Sequence, residues 1–352
     1  MNPAVATPPM PPKTVCIVML SAIGDAVHTL PLFTAIKRAW PHTKLTWIAQ
    51  PVPMQVGIHH PDVDEFIPFH RRRGIRSWTT LLDLMQEIRG RKFDLVINLQ
   101  VYFKAGVVTA LLDSPRKLGF DRARARDLNW LFTNERIPAH PVQHVEDQYF
   151  EFLEHLGIEA QPVDWQLVIT EEEREAQSAF YASQERPTCA VVLGTTRREK
   201  NWAPENYAAV VDALDVEHGF QAILVGGPSQ VEREAAEVVL AHTKSDPLVM
   251  LGDDLRRLIW LVDGSGLMLG PDTGPLHIAN ALGVPVVGMY GLTNPKRYGP
   301  YRKGLDLVVD GYAHFPGEEY EPSVEYRDGM KRVTVEMVLE KVALAVDQST
   351  GR

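Results

Sequence analysis

The sequence predicts an α/β protein built from doubly wound parallel sheets, and three observations lead there. Short apolar runs alternate with helical patterns from end to end. Those runs are apolar on successive residues, as in strands covered on both faces. At 352 residues the chain is also long for one core, so two domains are expected.

Residues 1–12 are proline-rich, with no basic region and no apolar core. They read as a disordered tail, not a signal peptide. Lys13 to Leu20 reads as a strand, Ser21 to His28 as a turn, and an amphipathic helix follows to about Trp40, where Pro41 stops it. Leu45 to Ala49 resumes strand, completing a βαβ unit. In the first half, strands are expected near 14–20, 44–49, 65–69, 93–99 and 116–119, with helices near 26–40, 77–89, 104–112 and 144–156. Residues 157–165 are polar, hold Pro162 and lack helical periodicity, which makes them the linker. Thr170 and Glu173 open the second half with a capping box. There, strands are expected near 188–193, 220–225, 247–251, 266–270 and 285–290, and helices near 171–184, 204–217, 229–242, 254–263 and 274–282. A last helix spans about Thr334 to Val346.

The net charge of −9 argues against a nucleic-acid binder. No run approaches the apolar length of a transmembrane helix. Cys16 and Cys189 fall in expected strands and read as buried small hydrophobes; two cysteines give neither a disulfide framework nor zinc spacing. A reducing cytoplasm fits.

Three turns past strand ends carry the chemistry. In Gly270-Pro271-Asp272-Thr273-Gly274-Pro275-Leu276-His277, Asp272 or Thr273 is placed to cap a helix, Pro275 suits its first turn and Gly283 its end. The free N–H groups at Gly274 form an anion site to which His277 adds a hydrogen bond. In the first turn, Gly24 permits close approach of a ligand, and Asp25 stands at a helix entrance as a site residue or merely as a cap. In the third, Thr195 and Thr196 precede Lys200 and Trp202, a set suited to holding and neutralising phosphate. Asp62-Val63-Asp64 has the form of a D-x-D metal motif, but that motif is short and common by chance. Neither a G-x-G-x-x-G after the first strand nor a P-loop is present, which counts against a dehydrogenase and an NTPase.

S-A-I-G-D-A-V-H-T-L-P at 21–31, T-T-x-x-x-K-x-W at 195–202 and D-T-G-P-L-H at 272–277 together resemble glycosyltransferase family 9, the ADP-heptose:lipopolysaccharide heptosyltransferases. The resemblance runs from about Lys13 to the last helix. It implies the GT-B arrangement, two Rossmann-like domains facing across a cleft. Residues 13–165 would bind the acceptor, 166–332 would bind the nucleotide sugar, and the helix in 333–352 would pack back on the first domain. It further implies inverting transfer of heptose from ADP-heptose to the Kdo-containing core of lipid A, without a cofactor or required metal. Asp25 would then be the general base, with Ser21 and Gly24 beside it on the acceptor side. Lys200 would act as the electrostatic catalyst. Thr195, Thr196, Lys200, Asp272, Thr273, Gly274 and His277 would hold the donor, and Glu232, or else Glu234, its ribose. Basic clusters at Arg71, Arg72, Arg73 and Arg76, and at Arg122, Arg124 and Arg126, suit an anionic acceptor or else a solvated face. The protein would work in the cytoplasm, or peripherally on the inner face of the inner membrane. The rival readings are the same fold with another acceptor, such as a protein hydroxyl or another core sugar, and a non-catalytic nucleotide-sugar binder.

Overall fold

The computed structural model describes residues 11–71 and 77–349. They contain two six-stranded sheets in which every strand pairing is parallel. The first is made of β1 (Thr14–Val18), β2 (Lys44–Ala49), β3 (Glu65–Pro68), β4 (Leu95–Asn98), β5 (Lys117–Gly119) and β6 (Glu135–Arg136), in the order β3-β2-β1-β4-β5-β6. The second is made of β7 (Thr188–Val192), β8 (Gln221–Gly226), β9 (Leu248–Leu251), β10 (Leu267–Pro271), β11 (Val286–Tyr290) and β12 (Val308–Asp310). Read as β9-β8-β7-β10-β11-β12, it repeats the order of the first. That is the doubly wound order of nucleotide-binding folds.

Helices α1 (Ile23–Ala39), α2 (Pro51–Met54), α3 (Ser77–Glu87), α4 (Phe103–Leu111) and α5 (Val145–His155) accompany the first sheet. Helices α6 (Glu171–Tyr181), α7 (Pro204–Val216), α8 (Gln230–His242), α9 (Leu255–Gly264), α10 (Gly274–Leu282), α11 (Pro295–Tyr298) and α12 (Val335–Ser349) accompany the second. The expected elements are all present. The short edge strands β6 and β12 and the single-turn helices α2 and α11 were not anticipated.

The strands are apolar throughout because both faces are covered. In β1, Val15 and Ile17 join one core cluster while Cys16 and Val18 join another on the opposite face. The first of these clusters runs on into the second domain through Leu276, Ile278 and Ala279 of α10. Helix α1 is where the halves meet, since it packs on both α10 and α5. It is accordingly not amphipathic: every residue from Ala26 to Ile36 is buried. Arg256 adds a polar tie, donating to the Gln55 carbonyl of the first domain at 3.0 Å and pairing with Glu173 at 2.6 Å. Glu173 in turn completes the expected capping box, accepting from Thr170 N at 2.8 Å.

The last helix departs from expectation. Instead of crossing to the first domain, α12 packs on α7, β11 and β12. Val338, Val342 and Ala345 form one apolar stripe, fully buried in the outer core of the second sheet with Tyr207, Val210 and Leu307. That stripe has its apolar partner beside it, and Trp202 fixes the approach by donating from Nε1 to the Val333 carbonyl at 2.8 Å.

Candidate active site

Strand order reverses between β1 and β4 in the first sheet and between β7 and β10 in the second, and open α/β sheets bind ligands at such points. The chain leaving all four strands lines one cleft of about 550 Å³. Ala22, Gly24 and Asp25 follow β1, and Leu99 to Tyr102 follow β4. Thr195, Thr196, Arg197 and Lys200 follow β7, and Asp272, Thr273 and Gly274 follow β10. The three motif turns are thus brought together.

The starts of α1 and α10 meet in this cleft, and two glycines allow it. A Cβ on Gly24 would lie 2.8 Å from His277 Cδ2, and one on Gly274 would lie 2.7 Å from Ile23 Cβ. Gly24 therefore makes room for a histidine ring of the other domain, a role the sequence reading gave to a ligand.

Asp25 sits in the first turn of α1. Its Oδ2 accepts from Ala22 N at 2.9 Å, so it is a cap, and its Oδ1 accepts from Tyr149 Oη at 3.1 Å. Neither partner is charged. Ser21 is placed differently from expectation: it is absent from the cleft lining, and its carbonyl accepts from Gln100 Nε2, which fixes the turn.

Asp272 does not cap α10. Thr273 occupies the cap position and makes no side-chain cap bond. The Asp272 carboxylate turns to Lys200, whose Nζ donates to Oδ2 at 2.7 Å and to the Asp272 carbonyl at 3.0 Å. Thr293 Oγ1 donates to the same Oδ2 at 2.5 Å. His277 Nε2 stands 3.5 Å from Oδ1. Burial alone would raise the Asp272 pKa, but the Lys200 ammonium and His277 outweigh it and hold the carboxyl far below the usual range.

A buried pair stands behind His277. Its ring lies 4.6 Å from that of His28, whose Nδ1 pairs with Glu146 Oε2. Burial, and then His277, lowers the His28 pKa to about 3, and burial pushes Glu146 well up. Burial thus disfavours charge on both members, and His277 Nδ1 is buried without a hydrogen-bond partner among the described residues. The sequence reading gave His28 and Glu146 no role, since 118 residues separate them.

The remaining predicted residues divide. Thr195 Oγ1 donates to the Arg197 carbonyl at 2.9 Å within its own turn, while Thr196 is exposed to the cleft. Glu232 lies outside the cleft lining; its carboxylate closes the turn after β8, accepting from Gly227 N at 2.8 Å and Ser229 Oγ at 2.7 Å. Glu234 is exposed and pairs with Gln230 at 2.7 Å. Arg126 is exposed and lines the cleft, whereas Arg122 stacks on Trp130 at 4.4 Å. Arg124 also lines the cleft but is spoken for: it pairs with Asp121 and with Glu151 at 2.6 Å, so its charge is already balanced. Arg71 is exposed near a small hollow with His70 and Gln50. Arg72, Arg73 and Arg76 lie outside the described residues. The D-x-D aspartates serve structure: Asp64 pairs with Lys37 at 2.8 Å, and Asp62 accepts from Gln166 at 3.0 Å.

Residues 81–325 match the family model described as glycosyltransferase family 9 (heptosyltransferase). The chain is 32% identical over 316 residues to the lipopolysaccharide core heptosyltransferase OpsX of Haemophilus influenzae, covering 89% of each. Its fold is similar to the glycosyl transferase family 9 structure from Veillonella parvula, with a TM-score of 0.80 at 24% identity over 96% of this chain and 97% of that one. It is also similar to E. coli heptosyltransferase WaaC with ADP-2-deoxy-2-fluoro heptose, with a TM-score of 0.72 at 23% identity over 94% and 99% of the two chains.

Proposed function

The chain belongs to glycosyltransferase family 9, and from that premise we propose that it transfers heptose from ADP-heptose to the lipopolysaccharide core, with Kdo as the acceptor sugar. The observation that carries the reading is the single cleft in which Asp25 of one doubly wound sheet faces Lys200, Asp272 and the start of α10 from the other.

The chemistry follows from the partners. Asp25 takes the proton of the acceptor hydroxyl as that oxygen attacks the anomeric carbon in line, and the configuration inverts. The bond from that carbon to the diphosphate breaks, and ADP leaves as an anion that needs no proton. Its charge is met by the free N–H groups of α10 at Gly274, by Thr196 and Thr273, and by Lys200. Lys200 keeps a donor for the phosphate, since an ammonium has three and Asp272 accepts through two atoms. Asp272 Oδ1, which is not engaged by Lys200 or Thr293, is the oxygen open to a sugar hydroxyl. The Glu232 carboxylate closes the turn after β8 and keeps further lone pairs for the ribose hydroxyls. Positive groups and a helix start meet the leaving group, so the reaction runs without a metal.

No helix among the described residues is long and apolar enough to cross a membrane. We place the acceptor's lipid end at the rim of the first domain. Exposed Tyr102, Phe103, Leu128 and Leu131 there share the rim with exposed Arg122 and Arg126. α4 packs on the turn that follows Leu128, which brings these residues together. Such a rim suits an anionic membrane surface on the cytoplasmic side. The direct test is to incubate the protein with ADP-heptose and Kdo-lipid A. ADP release with a mass gain of one heptose is expected, and ADP-heptose left intact would refute the function.

A further inference from the structure

We infer that Arg297 is a carboxylate-binding site for the acceptor sugar, separate from the exposed arginines of the first domain. The inference rests on the proposed function for the identity of the acceptor.

Arg297 lies in α11, just past β11, and is only 8% exposed. Other shielded arginines of this protein are balanced by carboxylates: Arg124 by Asp121 and Glu151, Arg256 by Glu173, Arg327 by Glu318. Arg297 is not. Its Nη1 donates to the Gln143 carbonyl at 2.8 Å and its Nη2 to Gln148 Oε1 at 2.9 Å, and both acceptors are neutral. Its Nε is buried and has no hydrogen-bond partner among the described residues. A buried guanidinium without a counter-charge is costly and is ordinarily paired. Here the residue lines the substrate cleft, so an incoming anion completes it.

The position says which anion. Both anchors, Gln143 and Gln148, belong to the approach to α5 and to α5 itself. The next residue, Tyr149, donates to Asp25 Oδ1. Arg297 thus reaches from the second domain to the acceptor side of the base, while the phosphate-holding turns lie past β7 and β10. A sugar acid held by its carboxylate at Arg297 and by its hydroxyl at Asp25 is fixed at two points, which orients the attacking oxygen. The planar fork suits a carboxylate, and the guanidinium has donors beyond the two already in use. The donor's diphosphate is the competing oxyanion, and the test separates the two.

The experiment reads binding by calorimetry. A soluble Kdo-terminated acceptor, its carboxamide counterpart and ADP-heptose are each titrated into wild type and into Arg297→Gln. Wild type should bind the carboxylate about 10- to 100-fold more tightly than the carboxamide. In Arg297→Gln that preference should fall below about threefold, with ADP-heptose affinity nearly unchanged. An equal preference in both proteins would overturn the assignment. So would a loss confined to ADP-heptose, which would give the charge to the diphosphate. If Arg297→Gln unfolds, the wild-type comparison still decides: no preference for the carboxylate there sinks the proposal. A protein that transfers no heptose would remove the proposed function, yet these binding arms would still report on the subsite.

Discussion

The two halves repeat one strand order, yet they hold their cleft aspartates in opposite ways. Asp25 is half-buried, and among the described residues its carboxylate accepts hydrogen bonds only from a backbone N–H and a tyrosine hydroxyl. Asp272 is buried, bound by Lys200 and Thr293, and faced by His277. The Asp25 carboxylate has neutral donors and, among those residues, no ammonium against it, so it is not tied up in an ion pair. A carboxylate locked against an ammonium is a fixed anion: it positions its partners and makes a poor base. In the proposed mechanism, acid–base work falls to the first domain and charge management to the second.

The comparison breaks most readily at Asp25. Asp25→Asn keeps the shape and the bond from Tyr149 but loses the base, so turnover should fall about 10²–10⁴-fold. Steady-state release of ADP measures it. Lys200→Met tests the other half in two ways. Turnover should fall about 10²-fold as the leaving diphosphate loses its cation. Asp272 would also be left as an unpaired buried anion, at a cost of about 3 kcal/mol at pH 7. The sign with pH follows from its depressed pKa. The wild-type pair stabilises fully above the ordinary carboxyl value of 3.8, and the gain is lost as pH falls through the lower folded value. Urea unfolding at pH 7 and pH 3 should therefore show the gap between wild type and variant narrowing in acid. A gap independent of pH would mean that Lys200 stabilises through packing alone.

Smaller effects sharpen the acceptor side. Arg126→Ala should raise the acceptor KM about two- to fivefold and spare the donor KM, since an exposed charge is screened by solvent. Arg124→Ala should instead lower the unfolding midpoint, because Glu151, 3% exposed, loses its cation. If both variants shifted the acceptor KM alike, the distinction between a free and a balanced arginine would be wrong. The smallest expected effect is that of EDTA, which should leave turnover unchanged. Loss restored by magnesium would reopen Asp62 and Asp64.

What the sequence made legible was local. Gly24-Asp25 and Asp272-Thr273-Gly274 announced themselves because a strand, a tight turn and a helix start are written in consecutive residues. What it hid was set by distance. His28 and Glu146 meet only because α5 returns to α1, and nothing near either residue signals the other. Arg124, in the turn after β5, looked like a free cation because Glu151, which helps balance it, lies far along the chain on α5. Arg297 drew no attention as one basic residue in Pro295-Lys296-Arg297-Tyr298; its meaning comes from the cleft that closes over it. The full burial of α1 was equally hidden, since a helix pressed between two domains loses the polar face that betrays a surface helix. The path of α12 followed its own apolar stripe, a signal present in the sequence and outweighed there by analogy.

The division of labour between the two aspartates is tested most directly by titrating ADP-heptose into Asp25→Asn and Asp272→Asn and following single-turnover transfer in the same samples. The account predicts that Asp25→Asn binds the donor like wild type and fails at transfer. It predicts that Asp272→Asn binds at least about tenfold more weakly, because Lys200 loses its anchor. Near-normal transfer by Asp25→Asn, or equal loss of donor affinity in both variants, would contradict it.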